Sequence, residues 1–278
     1  MNTSTHIVVG YDGSPDSDKA LTWAARTASL TGDEVVATIV VDPMETPRGT
    51  AWPESWWKDI EDRARGVLAE GPDVQSRVER HVAQPVALLA DRADDASAVV
   101  LGSRGHGVAG EIFLGSVSQG VARRARVPVV VVRAQQNPAS NRIVVGVDGS
   151  EASIRALELA CARADLTAEK VVALHAWFPT TVALDRYGYV PPVSGETAEE
   201  AKAILEEIVG KARVEHPEVE IVTLLRGETA SRALVDASED ASLVVVGSRG
   251  RGAVAQALLG STSHDVIHHA HCPVAVVR

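Results

Sequence analysis

Cysteine is nearly missing from this chain. Cys161 and Cys272 are the two present in 278 residues, and no CxxC pair occurs. That excludes a disulfide framework and fits a reducing compartment. Aromatic residues are scarce too, at 4% of the chain, so Val, Ala and Leu must fill the core, as in parallel sheets covered on both faces. No long Lys/Arg run appears, and the formal net charge is −10. This argues against a basic surface for nucleic acid or membrane, and any bound anion must be held locally by backbone N–H groups and a few side chains. No apolar stretch reaches the roughly 18 residues of a membrane-spanning helix. The opening MNTSTHIVVG lacks the cationic and apolar blocks of a secretory leader. The expectation is a cytoplasmic protein with no nucleic-acid and no membrane partner.

What the chain does have is itself, twice. IVVGYDGS at residues 7–14 returns as IVVGVDGS at 143–150, a shift of 136. DDASAVVLGSRG returns as EDASLVVVGSRG, and VPVVVVR as CPVAVVR, both shifted by 145. Internal repetition on this scale means two copies of one fold. The copies are expected at residues 1–135 and 141–278, joined by the polar, Pro-containing linker 134–141 (within AQQNPASN). Each is about 135 residues, enough to bury its own core.

Within each copy, apolar β-branched runs alternate with amphipathic segments. In the first, strands are expected at 7–9, 35–41, 74–82, 98–101 and 127–133. Helices are expected from Ser14-Pro15 onward, where Ser caps and Pro opens the first turn, and then around 57–69, 85–92 and 116–125. Strictly alternating strands and helices predict an open α/β fold, a parallel sheet with helices on both faces and right-handed crossovers.

The chemistry sits at two strand ends. An open parallel sheet binds ligands beyond the carboxyl ends of its strands, where the strand order reverses. Here the polar, Gly-rich ends follow strands one and four: YDGS with Asp12, and GSRGHG with Gly102, Ser103, Arg104 and Gly105. From Gly102 the spacing runs Gly, two residues, Gly105, nine residues, Gly115-Ser116. It recurs at Gly247, Gly250 and Gly260-Ser261. Glycine permits positive φ and close backbone approach to an anion, and consecutive N–H groups then converge on phosphate oxygens. Gly115-Ser116 opens a helix, whose N-terminus adds free donors and partial positive charge. Asp12 could instead cap its own turn, a common use of Asp, yet it recurs as Asp148 in the same frame.

These residues resemble the universal stress protein family, whose ATP-binding members carry the G-x2-G-x9-G-(S/T) pattern. The resemblance spans nearly the whole chain, as a tandem of two such domains. It implies five strands per half in the order 3-2-1-4-5, with the last strand of each half at a pairing surface, as in a dimer fused into one chain. It further implies ATP, with Mg²⁺ alongside, at one site per half. Gly10 with Asp12, and Gly146 with Asp148, would lie at the ribose. Val40 and Ala176 would meet adenine through their main chains. Gly102, Ser103, Gly105, Gly115, Ser116, Val117 and Ser118 would hold phosphates, as would Gly247, Ser248, Gly250, Gly260, Ser261, Thr262 and Ser263, while Arg104 and Arg249 either touch phosphates or point into solvent.

Other signals are weaker. GHGVAG at 105–110 matches GxGxxG, but it follows strand four, lacks the acidic residue about 20 positions on, and breaks to GRGAVA in the second copy. His264, His268, His269, His271 and Cys272 are conceivable zinc ligands, although QGVARRARV in the same frame favours cations at a helix C-terminus. No metal site is therefore expected. Trp52, Trp56 and Trp57 either lid the first site or pack, and packing is favoured. Trp177, Phe178, Tyr187 and Tyr189, among Pro179, Pro191 and Pro192, occupy the corresponding stretch of the second copy. Cys161 reads as a core thiol. No P-loop and no kinase catalytic loop is present. Glu111 is the lone candidate base in its loop, and Gln256 stands in its place in the other. The reading is a nucleotide-binding regulator of stress responses rather than an enzyme; a slow ATPase or nucleotidyl-transfer enzyme is the alternative, and an interaction module with empty crevices is the third. Protein partners are undefined by sequence, and a homodimer of the pseudo-dimeric chain is possible.

Overall fold

The structure, a computed structural model, describes residues 5–45, 52–105, 114–133, 137, 139–177, 197–250 and 259–278. In the first half, β1 (His6–Tyr11), α1 (Pro15–Thr31), β2 (Glu34–Val41), α2 (Glu54–Ala69), β3 (Ser76–Val82), α3 (Pro85–Arg92), β4 (Ala98–Gly102), α4 (Ser116–Arg124) and β5 (Val129–Val132) follow in order. The second half repeats them as β6 (Arg142–Gly146), α5 (Glu151–Thr167), β7 (Lys170–Ala176), α6 (Ala198–Glu215), β8 (Ile221–Arg226), α7 (Ala230–Ser238), β9 (Leu243–Gly247), α8 (Ser261–His269) and β10 (Val274–Val277).

The sequence cues for these elements work as local chemistry requires. Ser14 and Ser150 accept from the N–H of Ser17 and Ser153, capping α1 and α5. Ala20, Leu21, Ala24, Ala25 and Ala28 form the buried stripe of α1. Gly32 ends that helix in the left-handed region, φ 78°. At the equivalent position α5 ends on Ala168, φ 55°, the single non-glycine residue with positive φ among those described.

Strand order is β3-β2-β1-β4-β5-β10-β9-β6-β7-β8. Within each half all neighbours are parallel, and the order is third, second, first, fourth, fifth. At the centre β10 and β5 run antiparallel, Ala275 opposite Val130, so the two sheets form one of ten strands. One layer of core lies under α1, α2, α5 and α6, the other under α3, α4, α7 and α8. The strands are Val-rich because both faces are buried: Val129–Val132 and Val274–Val277 are buried throughout.

The halves also lock through their helix ends. The Arg133 guanidinium, just past β5, donates to the carbonyls of Ile267 and His268 in the last turn of α8. Arg278, just past β10, donates to the carbonyl of Arg123 in the last turn of α4. A cation thus satisfies orphan carbonyls at each C-terminus, and it comes from the opposite half. Burial pulls the Arg133 guanidinium below its ordinary value, the nearby Arg104 charge adds to this, and Asp16 opposes it. Cys161 and Cys272 are fully buried, and burial pushes their thiols up to about 11 and about 12. No described helix is long and apolar enough to cross a membrane.

Candidate functional site

In the first half a cleft of about 440 Å³ opens over the carboxyl ends of β1, β2 and β4. Gly10, Asp12, Val40, Gly102, Arg104, Gly105, Gly115, Ser116, Val117 and Ser118 all line it. Residues distant in sequence meet here because β1 and β4 are neighbours at the strand-order reversal. The volume suits a small-molecule ligand.

Positive φ, one of the two reasons expected for these glycines, does not apply. None of Gly102, Gly105, Gly115, Gly247, Gly250 and Gly260 has positive φ; among described glycines that belongs to Gly13, Gly32 and Gly149. Gly102 is needed because a Cβ there would stand 2.7 Å from the Asp16 carbonyl carbon and 2.9 Å from the Ser17 nitrogen. Gly247 meets the backbone of Ala152 and Ser153 in the same way, at 2.8 and 2.9 Å. These two glycines let the first helix of each half pack onto its fourth strand. A Cβ on Gly105 would collide with the Asp12 carboxylate, and one on Gly250 with that of Asp148. The second glycine of each loop thus brings the acidic residue and the loop into contact.

Several predicted side chains already serve the fold. Ser103 donates to Asp16 at 2.7 Å, and Ser118 to the Gly102 carbonyl at 2.7 Å. Ser263 donates to the Gly247 carbonyl at 2.6 Å. Asp12 and Asp148 each accept from the N–H two residues on, at 3.0 and 2.9 Å, in the capping role weighed for them. The Gly115 and Gly260 amides donate to Ser103 and Ser248 carbonyls, and the Ser103 and Ser248 amides to Val132 and Val277. Ser116 is exposed, as is Ser261, with Thr262 half-buried behind it.

Five of the eight described helices start without a side-chain cap bond: α2, α3 and α7, and the two that begin at the glycine loops. α1, α5 and α6 have side-chain caps; Thr197 and Glu200 form a full capping box on α6. α4 and α8, which begin at the loops, are capped by Gly115 and Gly260 with no side-chain bond. A Cβ at Gly115 would meet nothing nearer than 3.7 Å, and its φ of −62° suits any residue. Neither sterics nor strain demands glycine there, and Ser or Asp would cap better. The glycine leaves the first-turn amides of α4 uncovered toward the cleft.

Sequence reasoning missed Asp16 and His175, and it named the Trp cluster without placing it both in the core and at the cleft. Asp16 anchors the first loop: it takes Ser103, Lys19 at 2.9 Å and Arg104 at 3.4 Å. Burial by itself would raise its carboxyl, but these partners outweigh it and hold it below the usual carboxylate range. Its counterpart is Ala152, a difference visible on comparing the two copies residue by residue. Trp52 and Trp56 pack on the core and also line the cleft, with rings 4.4 Å apart. The Trp52 indole N–H is buried without a hydrogen-bond partner. On β7, buried His175 shares its Nδ1 with the Val147 carbonyl at 2.6 Å, beside Ala176. Gly146 and Ala176 end β6 and β7 as Gly10 and Val40 stand near the ends of β1 and β2. Arg249 is exposed.

Among the described residues no group of three His, Cys, Asp or Glu is arranged for a metal. The His264 and His268 rings lie 4.4 Å apart on α8, tilted by 47°, and His268 meets Gln119 of α4 at 2.7 Å. The interior of each glycine loop, with the GxGxxG match, Glu111 and Gln256, lies outside the described residues. So do Phe178, Pro179, Tyr187, Tyr189, Pro191, Pro192 and most of the expected linker.

A model of the Universal stress protein family matches residues 3–133 and again 140–278. A universal stress protein of Mycobacterium tuberculosis strain H37Rv is 34% identical over 295 residues, covering 100% of this chain and 97% of the relative. Another from that strain is 32% identical over 289 residues, covering 98% and 96%. The crystal structure of a universal stress protein from Archaeoglobus fulgidus covers 99% of both chains with a TM-score of 0.69 at 25% identity. With two full family matches in tandem and relatives of the same length and layout, this chain belongs to the universal stress protein family.

Proposed function

We propose that the chain is an ATP-binding regulator of stress responses, with one site per half, and that occupancy rather than turnover is its output. The observation that carries this reading is the bare start of α4 at the cleft. Gly115 caps the helix without a side chain where nothing in the fold demands glycine. An anion is the natural partner for such amides. Trp52 supports the reading, because an orphaned indole N–H beside the cleft is a donor awaiting an acceptor.

In this reading the amides of Ser116, Val117 and Ser118 take phosphate oxygens, and Arg104 adds charge from the side. Asp12 faces the ribose, and the Val40 main chain, with Trp52 nearby, meets the base. Asp148, Ala176, Gly247, Ser248, Arg249, Gly250 and the Gly260–Ser263 segment take the same parts in the second half. Mg²⁺ travels with the phosphates and neutralises their charge. This reading assigns no general base, so hydrolysis is slow. Slow turnover suits a sensor, whose bound state must outlast a cellular transient.

Calorimetric titration with ATP and Mg²⁺ tests this directly. Two ATP per chain are expected, with a change in Trp fluorescence at the first site. Gly115→Glu and Gly260→Glu each place a carboxylate against the phosphate position without a backbone clash, and each should remove one ATP. Unchanged affinity in the double variant overturns the site. Many turnovers per minute in a phosphate-release assay overturn the regulatory reading while leaving binding intact.

A further inference from the structure

The two outer edges of the ten-stranded sheet are β3 and β8, and they are built to opposite specifications. β3, SRVERHV, is blunted by charge. Arg77 pairs with Glu34 and Glu79, Arg80 with Glu54 at 2.6 Å, and Glu79 with Arg92 at 3.1 Å. Charges on an edge strand are the usual protection against a second strand. β8, IVTLLR, has a single charge, at its end, and Val222 is 42% exposed.

The register fixes which β8 groups face outward. In the parallel ladder Val171 pairs with Ile221 and donates to the Glu220 carbonyl, while Trp177 donates to that of Arg226. The backbone of Val222, Leu224 and Arg226 therefore bonds to β7, and that of Ile221, Thr223 and Leu225 points away. The Ile221 carbonyl is taken by Arg213 at 3.0 Å. No other described strand pairs with this side. Thr223 and Leu225 thus present two donors and two acceptors, one residue apart, as an antiparallel strand of the same sequence would need.

The adjoining face is cut to match. A cavity of about 290 Å³ lies between β8 and α7, with Val144, Val172, Leu224, Ala233 and Ala237 among its walls. In the first half the positions of Leu224, Arg226 and Ala237 are held by Glu79, His81 and Arg92, which join in ion pairs and hydrogen bonds. Asp236 and Asp240 rim the cavity toward the start of the strands, where Asp240 pairs with Arg142 at 3.1 Å and Asp236 lies 3.8 Å from Arg232, and Arg226 and Glu228 stand toward their ends. No ion pair engages Arg226 among the described residues.

We propose that β8 is a self-association edge: two copies of this chain pair β8 to β8, antiparallel, centred on Leu224. Thr223 and Leu225 of each copy then exchange four backbone hydrogen bonds. Leu224 lies opposite its own counterpart beside the cavity. Arg226 of each copy lies opposite Val222 of the other, at the end of the strand where Asp236 and Asp240 stand. The same pairing at β3 would bury Arg and Glu side chains at an edge already committed to ion pairs.

Sedimentation of the full chain from low to high micromolar concentration should show a reversible dimer. Val222→Lys puts a charge on the exposed face, and Thr223→Pro removes an outward N–H while leaving the β7 ladder whole. Each should weaken association at least about ten-fold with unchanged circular dichroism. Arg226→Glu should weaken it less. Leu224→Cys should cross-link on oxidation whereas Val222→Cys should not, since the native thiols are buried. In the unaltered protein the Thr223 and Leu225 amides should exchange more slowly as concentration rises. A chain that stays monomeric, or a dimer indifferent to Val222→Lys and with those two amides unprotected, overturns the proposal. ATP titration of the same variants should be unchanged, so this result and the nucleotide reading stand or fall separately.

Discussion

The two halves share an architecture and differ in what holds their loops. In the first, Asp16 gathers Ser103, Lys19 and Arg104 into one cluster behind the glycine loop, with the carboxylate and Ser103 buried and the two cations reaching solvent. In the second, Ala152 occupies that position, and Arg249 stands exposed without a carboxylate behind it. The backbone contact that positions the loop is nevertheless the same, glycine against the start of the first helix. The difference teaches that close main-chain packing holds the loop in both halves, while the side-chain cluster ties down the arginine of the first half alone.

The strongest way to break this comparison is at the shared contact. Gly102→Ala and Gly247→Ala each force a methyl against backbone that cannot turn aside, and each should destabilise by about 1–3 kcal/mol in urea unfolding. Unequal losses would show that the two loops are not held alike. Next comes the unshared cluster. Asp16→Ala, which makes the first half resemble the second, should cost about 1–2 kcal/mol at neutral pH by leaving the buried Ser103 hydroxyl without its acceptor. The Asp16 carboxyl is held below its ordinary value by folding. Its contribution is therefore complete above the unfolded carboxyl pKa of about 3.9 and fades as pH falls through the lower folded value. Wild type and variant should converge in stability in acid.

The helix ends offer a smaller test. Gly32 and Ala168 sit at equivalent left-handed positions. Ala168→Gly should stabilise by about 1 kcal/mol, and Gly32→Ala should lose a similar amount, both read from thermal midpoints. The smallest effect concerns the cap at the cleft. Gly115→Ser should raise the stability of the nucleotide-free protein by a few tenths of a kcal/mol, because a hydroxyl then serves the first-turn amides. The same change should weaken ATP binding at that site, measured by titration. A gain in both stability and affinity would contradict the role given to the bare cap.

The course of the chain was legible because its local signals agree. Pro15 after Ser14, Val-rich runs and Pro85 set the elements, and α3 falls on the expected residues 85–92. β1 runs longer than expected, from His6 to Tyr11, because its ends pair with β2 even where burial pattern alone is ambiguous. The site was legible in its residues and illegible in its reasons. A glycine in a loop reads as conformational freedom, whereas Gly102 answers to a helix 85 positions earlier in the chain. Nor does sequence say where a hydroxyl points: Ser103 and Ser118 turn inward to Asp16 and the Gly102 carbonyl. Trp52 was weighed as lid or packing, and its ring packs on the core while also lining the cleft.

Arginines 133 and 278 reach across the central seam to finish each other's helices. Two separate identical subunits meeting at such a seam would have to keep both faces the same, since one gene would encode both. Carried on a single polypeptide, the partners find each other at any concentration and never compete with strangers. Each side can then differ from the other, one with a carboxylate behind its loop and the other with an outer strand of a single charge, without either feature being imposed on its twin.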